Sequence, residues 1–193
     1  MTQGSLFFEG EGKVQETLRR ITKTLDELNI PYAIVGGMAL FAHGFRRYTE
    51  DVDILVTPEG LKRIHQELEG RGYVPPFEKS KHLRDTETRV KIEFLTTGGY
   101  PGDGKEKPVS FPDPEAVVEV HQGIKCVRLP TLVELKLASG ISAPNRLKDL
   151  ADVQEIIRVL HLPRTFGEGL NPYVRAKFDE LWGTVEPDVW DQG

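Results

Sequence analysis

Asp51-Val52-Asp53 stands at the start of an apolar run that continues through Ile54, Leu55 and Val56. In a strand, residues i and i+2 point to one face, so Asp51 and Asp53 project together while Val52 and Ile54 turn to the other side. Two carboxylates held that close repel unless a cation sits between them or one takes a proton. Mg²⁺ prefers such oxygen ligands and takes one or two carboxylates plus substrate phosphates. The pair points to a metal–nucleotide site. An Asp-x-Asp by itself is commonly a solvated turn or strand edge. Here both acids lie in or beside a β-branched run, where charge is disfavoured. Upstream, Tyr32-Ala33-Ile34-Val35 reads as a strand that runs into Gly36-Gly37. A diglycine suits a tight turn or a close backbone approach to phosphate.

Glu93 adds a third acid. Val90 to Thr96 reads as a strand with Val90, Ile92 and Phe94 on one face and Lys91, Glu93 and Leu95 on the other. Beside the Asp51–Asp53 strand, Glu93 would complete a carboxylate triad. Three carboxylates can hold two Mg²⁺ ions, one on a triphosphate and one lowering the pKa of an attacking hydroxyl. The plainer alternative is a solvated residue on an open sheet face.

Basic groups suited to phosphate flank these acids. Arg46 and Arg47 precede the motif by a few residues. An Arg fork suits a triphosphate or an acceptor, and the sequence does not choose between the two. Lys136 interrupts Leu135-Lys136-Leu137 on a predicted helix. It either snorkels or aims a point charge at triphosphate oxygens. Lys148, Asp149 and Asp152 lie near one helix face, as an ion-pair ladder or as groups that orient Lys136. Asp152 is the preferred partner. His43 reads as a helix C-terminal residue, with a general base as the sharper alternative. Lys79, Lys81, His82 and Arg84 form a solvated face or a phosphate or RNA contact.

These residues need elements to position them. Val14, Leu18, Ile21, Leu25 and Leu28 recur at spacings of four and three, which predicts a helix over 12–29 packed on the sheet. Residues 1–10 read as a loose arm. A short helix is expected from Gly37 to His43, and Thr57-Pro58 caps another that ends near Gly70, with His65 structural. Residues 77–88 read as a hairpin arm leading into the Glu93 strand. Glycines and prolines over 97–114 predict a long loop that could cover a nucleotide. One or two strands follow over 115–129. Helices are expected from Pro130 to Ser139, from an Asn145 cap through Leu160, and over 171–182. The tail from Gly183 is expected to fray.

The stretch Ile34-Val35-Gly36-Gly37 with Arg47-Tyr48-Thr49-Glu50-Asp51-Val52-Asp53-Ile54-Leu55 resembles the nucleotidyltransferase superfamily typified by DNA polymerase β. Its members carry a Gly-Gly or Gly-Ser turn, a helix, Asp-x-Asp or Asp-x-Glu on a strand, and a third carboxylate on a later strand. Glu93 matches that third acid. Leu132 to Ser139 and Arg146 to Val153 are similar to the helical part of bacterial members, among them abortive-infection toxins. Gly37 stands in place of the commoner serine and Glu93 in place of the commoner aspartate. The resemblance covers roughly residues 12–160 and is specific as a set. It implies Asp51, Asp53 and Glu93 as metal ligands and catalytic carboxylates, and Gly36 and Gly37 on the phosphates. It also implies Lys136 on the triphosphate, with the Lys148-Asp149-x-x-Asp152 stretch facing the cleft.

Composition bounds the rest. The chain has 193 residues, 38% hydrophobic and 28% charged, enough for one domain with a proper core. A net charge of −5 argues against broad DNA or RNA coating. Cys126 is the sole cysteine, which excludes an intrachain disulfide; it reads as a buried strand residue. Met1-Thr2-Gln3-Gly4 lacks a basic start and apolar core, and no apolar run reaches spanning length, so a cytoplasmic protein with no membrane partner is expected.

The expected fold is α/β (α+β): a small mixed sheet bearing the carboxylates, helices on one face, and a C-terminal helical section. Residues 1–129 would form the core and 130–193 the helical section packed on it as one compact unit. The expected reaction is Mg²⁺-dependent transfer of a nucleoside monophosphate from an NTP to a hydroxyl on a tRNA end, a protein side chain or a small molecule. The resemblance adds a toxin of a toxin–antitoxin pair, with a cognate antitoxin as partner. The alternatives are a catalytically silent domain of the same fold acting as a binding or antitoxin partner, and an unrelated α/β binding module.

Overall fold

The computed structural model describes residues 3–185, with side chains from residue 12 onward. The chain divides into two compact units. The first comprises residues up to Ala42, Arg46–Thr97 and Pro112–Val127. The second comprises His43–Phe45, Gly98–Phe111 and the chain from Arg128 onward.

The first unit is built on a seven-stranded mixed sheet. Its strands are β1 (Tyr32–Val35), β2 (Asp51–Val56), β3 (Tyr73–Val74), β4 (Leu83–Asp85), β5 (Lys91–Thr96), β6 (Val118–His121) and β7 (Ile124–Val127), in the order β3-β4-β5-β2-β1-β7-β6. β1 runs antiparallel to β2, with Val35 opposite Asp53. β2 runs parallel to β5, with Asp53 opposite Glu93 and Asp51 opposite Lys91. The hairpin expected over 77–88 is β4, antiparallel to β5.

All four residues of β1 are buried, as are Ile54, Leu55 and Val56 in succession on β2. Consecutive burial means that both faces of the sheet centre are covered. The cause is legible in the β-branched runs, which leave no polar alternation to face water.

α1 spans Gln3–Glu27, so the helix starts well before the predicted stripe and the expected loose arm over 1–10 is helical from Gln3. Gly4, Gly10 and Gly12 hid this, since each lowers helix propensity by about 1 kcal/mol against Ala. Once nucleated, a helix extends at one hydrogen bond per residue. Its stripe residues Val14, Leu18, Ile21 and Leu25 are buried as expected. α2 (Gly36–Ala42) follows β1 directly. α3 (Pro58–Leu68) starts where Thr57 Oγ1 accepts the Gly60 N–H at 3.0 Å, the predicted cap. His65 is structural: Nε2 lies 3.0 Å from the Lys81 carbonyl. A single-turn α4 (Pro114–Val117), not foreseen, precedes β6. Cys126 is buried in β7, and burial pushes its thiol up to about 11.

The second unit is helical: α5 (Leu129–Ser142), α6 (Leu147–Val159) and α7 (Pro172–Trp182). Gly140 lets α5 and α6 approach closely; a Cβ there would meet Leu150 at 2.4 Å. Asn145 does not cap α6. It lies in a 3-10 turn, Pro144–Arg146, and Arg146 precedes the helix without a side-chain cap. Asn171 instead caps α7, accepting the Tyr173 N–H at 3.0 Å. The loop over 98–111 is ordered. Lys107 Nζ donates to the Pro101 carbonyl at 2.8 Å and to the Lys105 carbonyl at 2.6 Å. The expected frayed tail falls mostly outside the described residues. Among the described residues no helix is long and apolar enough to cross a membrane.

One buried carboxylate staples the β4–β5 turn to α1. Asp85 is fully buried. It accepts the N–H groups of Glu87 and Thr88 at 2.8 and 3.3 Å, the Thr17 hydroxyl lies at 3.5 Å, and Arg20 Nη1 is 3.5 Å away. Asp85→Ala would leave the Glu87 and Thr88 amides without their side-chain acceptor and take one carboxylate from Arg20, which keeps Glu87. It is expected to destabilise the protein by about 3 kcal/mol, read from urea unfolding; a loss under about 1 kcal/mol would contradict the staple.

Candidate active site

β2 carries its acids at its open end. Asp51 and Asp53 are half-exposed while Val52 and Ile54, on the opposite face, are fully buried. The parallel register brings Glu93 beside Asp53, also half-exposed. The three acids therefore share one face of neighbouring strands, as the alternation of both runs predicted.

The diglycine closes on this face from the other side of β2. Val35 pairs with Asp53, so the chain leaving β1 passes directly over that carboxylate. Gly36 takes φ +64°, and a Cβ there would lie 1.9 Å from Asp53 Oδ2. Only glycine meets both demands. Gly37 is packed too: a Cβ would meet Thr49 at 2.7 Å. Thr49 Oγ1 in turn donates to the Asp51 carbonyl at 3.2 Å. The turn and the strand start form one close-fitting cradle.

Charge on this face is only partly balanced. Burial, reinforced by the Glu93 carboxylate, raises the Asp51 pKa, and the opposing pull of Lys91 and Arg84 does not cancel it. Glu93 is drawn onto the Lys91 ammonium, two residues earlier on the same strand face. Among the described residues no three His, Cys, Asp or Glu side chains converge closely enough to hold a metal ion by themselves. This donor set still suits Mg²⁺, which takes one or two carboxylates and completes its shell with waters and substrate phosphates. Asp51 and Asp53 are the oxygens that would hold it, with Glu93 adjacent.

His82 was not singled out from its neighbours in sequence. It is half-buried, and the Phe94 N–H donates to its Nδ1 at 3.1 Å. Burial lowers its pKa, against the opposing influence of Glu93. A cluster reading of Lys79, Lys81, His82 and Arg84 carries no signal that one member turns inward to cap the β5 backbone. Arg46 is exposed, with its guanidinium 5.8 Å from the Phe41 ring centroid. Arg47 is half-buried beside Val14, Met38 and Thr49. His43 lies in the turn after α2 and is half-exposed.

Lys136, Asp149 and Asp152 come together in the second unit. Lys136 Nζ lies 3.1 Å from Asp149 Oδ1 and 2.7 Å from Asp152 Oδ2, with all three side chains buried. Ser139 Oγ donates to Asp149 Oδ2 at 2.7 Å, and Arg146 Nε lies 2.8 Å from the same oxygen. Burial alone would raise the Asp149 pKa; Lys136, Ser139 and Arg146 together outweigh it and hold the carboxyl below its ordinary 3.8. The sequence foresaw an exposed ladder or a pair with Lys136; the structure gives the pair, and both aspartates share it.

No family profile and no curated protein matches this sequence. Solved structures do match. ANT(2'')-Ia, solved in complex with adenylyl-2''-tobramycin, is 15% identical, with a TM-score of 0.57 over 86% of this chain and 96% of that one. A protein from H. pylori assigned as a nucleotidyltransferase is 14% identical, with a TM-score of 0.50 over 96% of each chain. JHP933 from Helicobacter pylori is also 14% identical, with a TM-score of 0.50 over 96% of this chain and 93% of that one. At such identities the likeness is one of fold: this chain has the nucleotidyltransferase fold that its Gly-Gly and Asp-x-Asp pattern resembles.

The cradle and the buried ion cluster each generate an expectation. Gly36→Ala should displace the Asp53 carboxylate, weakening Mg²⁺-dependent NTP binding by about tenfold or more, equivalent to about 1.4 kcal/mol, with far-UV circular dichroism unchanged; calorimetric titration reads the affinity. Lys136→Met should destabilise the protein by about 3 kcal/mol, because it removes the buried cation that Asp149 and Asp152 share while Arg146 stays on Asp149. The depressed Asp149 pKa contributes stability that is complete above its ordinary 3.8 and is lost as pH falls below that value. A wild-type unfolding series from pH 6 down to about pH 2 should show that loss, and Asp149→Asn should flatten it.

Proposed function

We propose that this chain is a nucleotidyltransferase that moves a nucleoside monophosphate from an NTP to a hydroxyl acceptor with a divalent metal, Mg²⁺, as cofactor. The carrying observation is the cradle. Asp51 and Asp53 share a half-exposed face with Glu93 in register, and the Gly36 backbone lies against Asp53 where no side chain fits. In this reading Asp51 and Asp53 hold the metal with the phosphates, Glu93 completes a second metal position, and the N–H groups of Gly36 and Gly37 face phosphate oxygens. Arg46 or Arg47 adds a phosphate contact.

The acceptor hydroxyl oxygen forms a bond to the α-phosphorus as the bond to the pyrophosphate oxygen breaks. The electron pair leaves with pyrophosphate, and the hydroxyl proton passes to Glu93 or to solvent. Bound Mg²⁺ would screen the phosphates and lower the pKa of that hydroxyl. The residues supply position and electrostatics, which carry most of the rate in this chemistry. The adenylylated product held by ANT(2'')-Ia makes ATP a reasonable first donor to test. The fold also suits a cytoplasmic toxin with a cognate antitoxin, a role that rests on resemblance.

A second reading, a catalytically silent domain that binds a partner, has one observation in its favour: Glu93 is already paired with Lys91. One assay separates them. Wild type and Asp53→Ala are incubated with each α-labelled NTP, Mg²⁺, total RNA and total protein. Label appearing in wild type alone, at least about 100-fold above the variant, is the expected result. Equal labelling in both would sink the assignment of Asp53. NTP binding without any labelling would favour a small-molecule acceptor or the silent domain.

A further inference from the structure

The first unit holds a cleft of about 300 Å³ whose floor reaches Asp51. Of its lining the proposed function uses Asp51 alone. It opens on the β5 side of β2, away from the diglycine, which lies on the β1 side over Asp53. Its walls carry Lys13, Arg84, Arg89 and Lys91 against only Glu50 and Asp51, on a chain whose net charge is −5. Basic groups are thus concentrated where the chain as a whole is acidic, the electrostatic mark of a site for anions.

The wall is built, not incidental. Arg84 Nη1 donates to the Arg89 carbonyl at 2.8 Å, fixing the guanidinium against the turn. Arg89 takes φ +68°, a left-handed conformation that Gly or Asn adopts more easily. The turn is held in that shape by the Asp85 staple, whose backbone carbonyl accepts the Arg89 N–H at 3.0 Å. An arginine kept at a strained position by a turn anchored on a fully buried carboxylate is a pointer to a role for its side chain. Tyr48, 42% exposed, stands at the rim and offers a ring face. Guanidinium forks beside an exposed aromatic suit a phosphate followed by a base.

We propose that this cleft is the acceptor subsite and that it takes a phosphate-bearing nucleotide unit, whose ribose hydroxyl is thereby presented beside Asp51. The proposal rests on the nucleotidyltransferase reading for the word acceptor. It disfavours a polycationic amino sugar, which Lys13, Arg84, Arg89 and Lys91 would repel. Such a unit has two sources, the 3′ end of an RNA or a free nucleotide, and both present the same phosphate and ribose.

The test is fluorescence anisotropy with the full chain and a short 5′-fluorescein single-stranded RNA ending in a 3′-hydroxyl, with AMP and tobramycin as competitors. Wild type should bind the RNA, more weakly as salt rises. The pair Arg84→Gln and Arg89→Gln should weaken binding by about tenfold or more. Lys13→Gln changes an exposed helix position and leaves the turn intact; it should weaken binding by a smaller factor, about two- to fivefold. Displacement by AMP at comparable concentration assigns the cleft to a single nucleotide, and failure of AMP to displace assigns it to a polymer end. Equal RNA binding by wild type and the double variant overturns the proposal, as does binding of tobramycin with neither RNA nor AMP. A separate titration of ATP with Mg²⁺ reports on the nucleotide side. Loss of ATP binding with the RNA result intact would sink the nucleotidyltransferase reading and leave the anion cleft standing; the reverse would sink the cleft alone.

Discussion

Asp51, Asp53 and Glu93 carry carboxylates on one face of two neighbouring strands, and the first unit must hold those charges together. At a partly exposed site the repulsion of two unit charges a few ångströms apart amounts to about 1–4 kcal/mol. Each Val, Ile or Leu buried on β2 contributes about 1.5–3 kcal/mol in the other direction. Val52, Ile54, Leu55 and Val56 are all buried. The strand is thus anchored by its apolar residues, and the acids ride at its open end. The antiparallel partner β1 then brings Gly36 against Asp53, so the position of that carboxylate is set by backbone and not by a flexible side chain.

The molecule carries two clusters of charge with opposite characters. In the second unit, Lys136 lies between two aspartates with Ser139 and Arg146 completing the hydrogen bonds, and Asp149 is held well ionised. That cluster is satisfied from within. In the first unit burial, reinforced by the Glu93 carboxylate, leaves Asp51 with a raised pKa, and Glu93 pairs with the Lys91 ammonium. An arrangement whose ionised form is disfavoured by its own surroundings gains most from an external cation. This contrast, more than the count of acids, separates a site that calls for a ligand from one that ties helices together.

Several elements were legible because their periodicity is strong. The stripe Val14, Leu18, Ile21 and Leu25, the strands around Asp51 and Glu93, the Thr57-Pro58 cap and the hairpin into β5 appear where their residues predict. The start of α1 was hidden by glycines whose cost is outweighed by propagation from a nucleated helix. Asn145 looked like a cap by residue type, but Pro144 draws it into a 3-10 turn, leaving Arg146 at the helix start. His82 and Asp85 look alike in a string of polar residues, yet one caps the β5 backbone and the other is the fully buried staple of a turn.

Sequence alone determined the periodicities: which residues of β2 and β5 face together, where the backbone needs glycine, and which helices are amphipathic. These are one-dimensional properties, because strand alternation and helix spacing act on neighbours along the chain. Tertiary structure decided everything that depends on pairing between distant segments. It chose the parallel register that sets Glu93 beside Asp53 and Lys91 beside Asp51. It placed Gly36 over Asp53 and built a basic wall from Lys13, Arg84 and Arg89, residues scattered along the chain. Such choices rest on packing and long-range electrostatics, whose energies exist only once the strands and helices meet.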